Sequence, residues 1–476
     1  MQLGSAQDQN AWSEGNQWTI NSFFSRVNYT FANKYVIEGT IRADGSSRFD
    51  PDHRWGWFPG VNAAWRVGEE GFMKRLGWFE DLKVRASYGE MGNQSGIGLY
   101  DYIQLISLSN DYYPFGAGVK GQMATSGNII STSRTWETIQ TTNVGFDFST
   151  LNNRLYGSFD YFWKENKNML IPKTYPSMLG ADAPSTNSGH LSIHGWEISL
   201  GWRDQIKDFS YSVRFNISDA KNKVVDRVGS NLIQLGNNET PTGYPLNSYF
   251  GYEFDGIIQN EQELEAYKSR FSEGGIPGDL SVGDAMYKDL DGDGKLSVLG
   301  DGKEGSGDVK YLGDKNPRYN FGFNLSMAWK GFDLSAFIQG VGRRTMFLEG
   351  ESRCPMPEAW YQSAEYWYGK TWTPERTDAQ YPAITLKDKR NYNYYVSTNT
   401  KFNVAYARLK NLQFGYTIPQ TLTSKAGLQK VRVYFSGEDL FEVHNTPNGW
   451  DPEENSGSIT SYPFTRNYSF GINVVF

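Results

Sequence analysis

The sequence predicts an all-β protein: the carboxy-terminal part of an antiparallel transmembrane β-barrel, about thirteen of the ~22 strands of a large outer-membrane barrel, with long loops on one rim. Three observations lead there. Segments that alternate apolar and polar residues recur along the whole chain, the connections between them are short and long by turns, and the last segment, Arg466–Phe476, ends on an aromatic residue. In that segment Tyr468, Phe470, Ile472, Val474 and Phe476 fall on one face, while Asn467, Ser469, Gly471 and Asn473 fall on the other. Such a strand lies between two different solvents, and a tilted strand needs only ~9–11 residues to cross a bilayer.

Taken in order, the alternation marks strands at 18–31, 33–44, 55–66, 82–91, 140–150, 153–164, 194–203, 207–218, 318–329, 331–342, 402–418, 429–439 and 466–476. In 153–164, Leu155, Gly157, Phe159, Tyr161 and Trp163 share a face against Tyr156, Ser158 and Asp160. In 318–329, Phe321, Phe323, Leu325, Met327 and Trp329 oppose Asn320, Gly322, Asn324 and Ser326. Those apolar faces suit lipid. Asn33–Lys34, Leu151–Asn153, Arg203–Ile206 and Lys330–Gly331 are predicted as tight turns, 67–81 and 419–428 as moderate ones, and 45–54, 92–139, 165–193, 219–317, 343–401 and 440–465 as loops on the opposite rim. Short turns on one side and long loops on the other is the asymmetry of an outer-membrane barrel. An odd strand count would leave an unpaired edge in lipid, so the expectation is one incomplete barrel domain over 1–476 that neither closes nor transports by itself.

Composition agrees. Aromatic residues make up 16% of the 476 residues and there are 51 glycines, yet mean hydropathy is −0.58. Barrels combine the two because alternate residues face a wet lumen while aromatic girdles sit at both interfaces. The sequence contains no run of apolar residues long enough for a transmembrane helix. A net charge of −7 argues against a nucleic-acid partner, which selects basic stripes. The single Cys354 excludes an intrachain disulfide framework. Met1–Asp8 lacks the basic start and apolar stretch of a signal peptide, which leaves either a cytosolic protein or a natural start further upstream.

The longest loop, 219–317, carries two local signals. Asn260–Phe271 reads as a short helix, with Leu264, Tyr267 and Phe271 at helical spacing. Further on, Asp289, Asp291 and Asp293 with Gly294 occupy positions 1, 3, 5 and 6 of an EF-type calcium loop, where alternate carboxylates converge on a hard cation and glycine permits the sharp turn. Lys295 would add its backbone carbonyl and Ser297 a ninth-position ligand. Gly300 stands where the twelfth-position Glu belongs, with Asp301 one place beyond. The expected cofactor is calcium in a structural role; a plain acidic turn is the alternative.

The motifs Ala43–Phe49 (ADGSSRF), Trp57–Val61 (WFPGV), Ala64–Arg66 with Glu70–Met73, Leu82–Gly89, Gly92–Gln94, Leu179–Ala181, the DxDGDG turn, Trp372–Pro374, Tyr406–Asn411 (YARLKN), Gly415–Pro419 and Trp450–Pro452 (WDP) follow one another along the chain. In these it resembles the SusC/RagA family of TonB-dependent outer-membrane transporters, departing in minor ways such as Gly60 where Ser is usual. The resemblance implies TonB-powered import of a glycan oligosaccharide or a peptide through the outer membrane, with a SusD-like surface lipoprotein as lid. It also implies that plug and TonB box lie in a missing amino-terminal part, and that Phe470, Ile472, Val474 and Phe476 form a membrane-assembly signal facing outer-membrane lipid.

Loop aromatics (Tyr100, Tyr102, Tyr112 and Tyr113; Trp360, Tyr361, Tyr366, Trp367, Tyr368 and Trp372) are open to three readings: sugar stacking, loop packing or lid contact. No carboxylate pair is singled out as acid and base, and the chain is not expected to be an enzyme. A soluble all-β glycan-binding or hydrolytic protein is the alternative, and it requires the apolar strand faces to meet across a core.

Overall fold

A computed structural model describes residues 15–476 apart from 110–113, 116–118, 121–122, 127–128, 173–177, 179–183, 228–234, 237–239, 300–306, 358–362, 386–387 and 455–463. Its main body is a single antiparallel sheet of thirteen strands, each paired with its neighbour in sequence. The strands are β1 (Ile20–Phe31), β2 (Tyr35–Ser46), β3 (Trp55–Arg66), β4 (Asp81–Asn93), β5 (Glu137–Thr150), β6 (Leu155–Pro172), β7 (Ser185–Ile206), β8 (Phe209–Asp226), β9 (Arg318–Trp329), β10 (Phe332–Arg343), β11 (Tyr406–Thr417), β12 (Lys430–His444) and β13 (Asn467–Val475). All thirteen predicted segments are present. Strands β6, β7 and β8 run well past their predicted ends toward the long loops, and β11 starts at Tyr406 because Lys401–Asn403 forms a separate short strand with Thr345–Phe347.

The register gives the sheet two unlike faces. Phe146 pairs with Phe159, Phe159 with Ile198, Ile198 with Ile217, Ile217 with Phe321, and Phe323 with Ile338. Leu334 pairs with Phe414, Phe414 with Phe435, and Phe435 with Phe470. Since side chains alternate, this apolar row and its neighbours form one continuous face. The opposite face is charged: Arg85 in β4 reaches Asp160 at 2.6 Å and Asp147 at 3.2 Å, and Arg432 in β12 donates to Asp333 of β10 at 2.9 Å. Phe321, Phe323 and Leu325 are only half-buried, and among the described residues the remaining sheets are two-stranded, so the described residues do not form the two large packed sheets of the alternative. Aromatics crowd both rims of the apolar face, with Trp55 and Trp57 at one and Trp65 stacked on Tyr35 at the other. From Trp55 to Trp65, at ~3.3 Å per residue and a tilt of ~40°, the band is ~25 Å tall.

Antiparallel pairing sends alternate connections to opposite rims. One rim holds 32–34, 67–80, 151–154, 207–208, 330–331 and 418–429, and the other holds every long loop. The tight turns use left-handed residues: Ala32 and Asn33; Leu151, Asn152 and Asn153; Lys330 at φ 45° followed by Gly331 at φ 90°, where any side chain would be strained. The turn predicted at Arg203–Ile206 falls instead at 207–208. Those residues remain in β7, with Asp204 opposite Tyr211, and Lys207 at φ 56° makes the reversal. Polar residues at a strand's wet end look like a turn by composition alone. The connection 67–80 holds a short helix, α1 (Gly71–Leu76).

Candidate functional site

The long loops fold into a cap with a core of its own. Within 227–317, Ser248–Tyr252 pairs with Val309–Asp314 and Phe254–Ile257 with Ala285–Tyr287. The predicted helix is α2 (Glu261–Arg270): the Asn260 side chain accepts from Glu263 N at 2.9 Å, and the Glu263 carboxylate accepts from Gln259 N at 2.9 Å, a reciprocal cap that satisfies donors the helix leaves open. Leu264, Tyr267 and Phe271 are buried, as their spacing requires. Tyr392, from the loop 344–405, enters the same core: its hydroxyl lies 2.7 Å from that of Tyr267, and its carbonyl accepts from Tyr287 Oη at 2.8 Å. Burial pushes the Tyr267 phenol up to about 12. The two longest loops are therefore one folded unit.

The acidic turn hangs from this core. Asp289 Oδ1 accepts from Gly292 N at 2.7 Å and Oδ2 from Gly294 N at 3.0 Å, with Gly294 at φ 77°. Asp291 Oδ2 accepts from Gly307 N at 2.8 Å. The third carboxylate is not Asp293, whose Oδ1 instead takes Lys295 N at 2.8 Å. It is Asp308, which is fully buried and accepts from Leu290 N at 2.6 Å and Ser297 N at 2.8 Å. One ligand atom from each of Asp289, Asp291 and Asp308 lies within 4.8 Å of the other two, the one such acidic, histidine or cysteine group among the described residues. Burial, and then the charges of Asp291 and Asp289, raise the Asp308 carboxyl above its ordinary value. Ser297 meets Asp308 through its backbone, Lys295 lies beside the turn with its backbone bridged to Gly274, and Asp301 lies outside the described residues. Flanking the turn, Glu253 receives Lys288 at 2.7 Å and also contacts Lys310, and these two ammonium groups hold its carboxyl down at about 2.

Packing claims most of the described loop aromatics. Trp367 is buried with Cys354, Tyr381, Tyr394 and Trp450, the Tyr366 hydroxyl meets that of Tyr381 at 2.6 Å, and Trp372 Nε1 donates to Gln259 at 3.1 Å. Tyr368 stands free, 90% exposed. Tyr112, Tyr113, Trp360 and Tyr361 lie outside the described residues. In β13, Phe470, Ile472 and Val474 lie opposite Phe435, Val433 and Val431, Asn473 lies opposite Arg432, and Phe476 follows the strand, largely exposed.

A second cluster escaped the sequence reading. Arg408 in β11 is wholly enclosed, with Nε 2.8 Å from Glu442 of β12 and Nη2 2.8 Å from Asp451 in the loop beyond. Its Nη1 is 3.0 Å from Glu453, without an aligned hydrogen bond, and its plane rests 4.2 Å from the centre of the Phe464 ring. The YARLKN and WDP motifs meet here.

A family model described as TonB dependent receptor-like, beta-barrel, matches residues 2–440. Over 97% of its length the chain is 32% identical to TonB-dependent receptor P3 of Formosa agariphila, covering 46% of that protein. It is 27% identical to TonB-dependent receptor SusC of Bacteroides thetaiotaomicron, over 98% of this chain and 45% of that one. The solved RagAB peptide transporter shares the fold, with a TM-score of 0.76 and 23% identity over 96% of this chain and 48% of its own. The chain spans about half the length of the relatives it matches.

Proposed function

The chain belongs to the TonB-dependent receptor-like β-barrel family, and from that premise we propose that it forms the barrel wall and outer loops of an outer-membrane transporter of SusC/RagA type. The whole protein would import a large nutrient, a glycan oligosaccharide or a peptide, driven by the TonB complex through a plug outside this chain, with a SusD-like lipoprotein closing over the loop rim. The observation that carries this is the continuous apolar face of thirteen strands set against a charged one. Only lipid outside and water inside ask for both at once. Among the described residues, strands β1 and β13 each pair on one side only, and both are exposed along almost their whole length. We infer that further strands of the whole protein complete the wall, and that this chain alone in liposomes takes up no oligosaccharide.

The deciding experiment deletes the gene from its host and follows uptake of labelled oligosaccharide and labelled peptide, with and without a proton uncoupler. Uncoupler-sensitive uptake of one class should vanish with the deletion. Undiminished uptake of both would end the reading.

For the acidic turn we propose a structural calcium ion held by Asp289, Asp291 and Asp308. Three carboxylates this close repel unless a cation neutralises them, and oxygen donors suit calcium. Chelation is expected to open 289–297 to protease while the wall stays folded; identical digestion with and without chelator would remove the ion from the account. The acid side gives a second measurement. Asp308 titrates above its ordinary value, so protons compete for a ligand that the ion needs ionised. Calcium affinity should therefore fall as pH is lowered toward that raised value and recover above it, and a flat profile would count against Asp308 as a ligand.

A further inference from the structure

The connection 67–80 on the short-turn rim is tied to the apolar side of the wall at both ends. Before α1, Glu70 accepts from Trp65 Nε1 at 3.2 Å and from Tyr35 Oη at 2.7 Å, and both rings belong to the aromatic girdle of the apolar face. After α1, the Phe79 ring lies edge-on to Phe148, another apolar-face residue, at 6.4 Å, and the Trp78 carbonyl accepts from the Thr150 hydroxyl. The helix is thus held over the outside of the rim, away from the charged face. Phe72 and Leu76, four residues apart and so on one side of the helix, are about half exposed there, and Trp78 is two-thirds exposed. Lys74 pairs with Glu69 at 2.6 Å, whereas Arg75, whose Nε donates to the Gly71 carbonyl at 3.3 Å, has no ion-pair partner among the described residues.

We propose that this connection is an interfacial anchor, laying Phe72, Leu76 and Trp78 into the headgroup boundary of the inner phospholipid leaflet with Arg75 directed to lipid phosphate. Two features favour lipid over a protein partner. The connection that carries these apolar side chains is tied at both ends to the girdle, to Tyr35 and Trp65 through Glu70 and to Phe148 through Phe79, and a basic residue on an interfacial helix matches anionic headgroups. The inference rests on the membrane reading above and adds that the short-turn rim grips the leaflet instead of merely ending at it.

The test is nitroxide accessibility in the full protein in vesicles of phosphatidylethanolamine and phosphatidylglycerol. Labels are placed through Phe72→Cys, Leu76→Cys, Lys74→Cys and, on the wall, Ile472→Cys; buried Cys354 gives the background in the unsubstituted protein. Collisions with lipid-soluble oxygen should exceed those with a water-soluble nickel chelate at 72 and 76, as at 472, with an oxygen-to-nickel ratio several-fold above that at 74. Nickel dominating at 72 and 76 while 472 stays lipid-like overturns the anchor alone. Low collision with both reagents at 72 means a protein surface covers the patch, and overturns it too. Nickel dominating at 472 brings down the membrane reading itself.

Discussion

Ile472→Lys is expected to remove most of the folded protein from outer membranes, whereas Asn473→Lys one residue away is expected to be tolerated. Ile472 lies near the middle of β13 on the apolar face, opposite Val433. A lysine at mid-membrane on a barrel's lipid face costs ~2–4 kcal/mol. Asn473 is on the charged face opposite Arg432, whose guanidinium is already held by Asp333, and a like charge across a strand pair costs below ~1 kcal/mol. The folded fraction, read by heat-modifiable migration of the full protein from outer membranes, should separate the two. Equal losses would mean that lipid does not distinguish the faces. Deleting Phe476, which is mostly exposed and contributes little burial, is expected to lower the assembled fraction without lowering the stability of what does assemble, as an assembly signal requires.

Arg408→Met should be the most damaging substitution in the loop rim. The guanidinium is enclosed among Glu442, Asp451 and Glu453, and Lys410 shares Glu453 at 3.0 Å. Methionine keeps much of the volume but leaves three carboxylates facing one another. Breaking a buried ion pair from one side costs about 3–5 kcal/mol. Because Asp451 and Glu453 belong to the 445–466 loop and Glu442 to β12, the loss should appear as release of that loop to protease, with the wall below intact. Arg408→Lys keeps the charge without the fork that reaches several partners, so it should fall between the two. A methionine variant as protease-resistant as the parent would show that the loop is held by Trp450 and its aromatic neighbours instead.

Much of the architecture is legible in the chain because a barrel wall obeys a local rule. Every second residue of β9 or β13 meets the same solvent, so Phe321–Trp329 and Tyr468–Phe476 declare strand, face and orientation without knowledge of any partner strand. The helix α2 is visible for the same reason at a period of 3.6, and Asn260 and Glu263 close its cap within four residues. Turn positions are less secure, since Asp204 and Gln205 are polar whether they end a strand or leave it.

What depends on distant residues could be settled only in three dimensions. The acidic motif supplies Asp289 and Asp291, but the third carboxylate comes from Asp308, brought back by the short strand that pairs with Ser248–Tyr252. Asp293, third in the pattern, turns to its own backbone instead. YARLKN and WDP are separate motifs in sequence and one ion-pair cluster in space, just as Tyr267 and Tyr392 come from different loops to form one core. Side-chain alternation is set by the solvent on either side of a single strand, and the sequence carries it in full. Convergence of charges and rings across loops depends on how the folded chain brings remote segments together, and no local period encodes that.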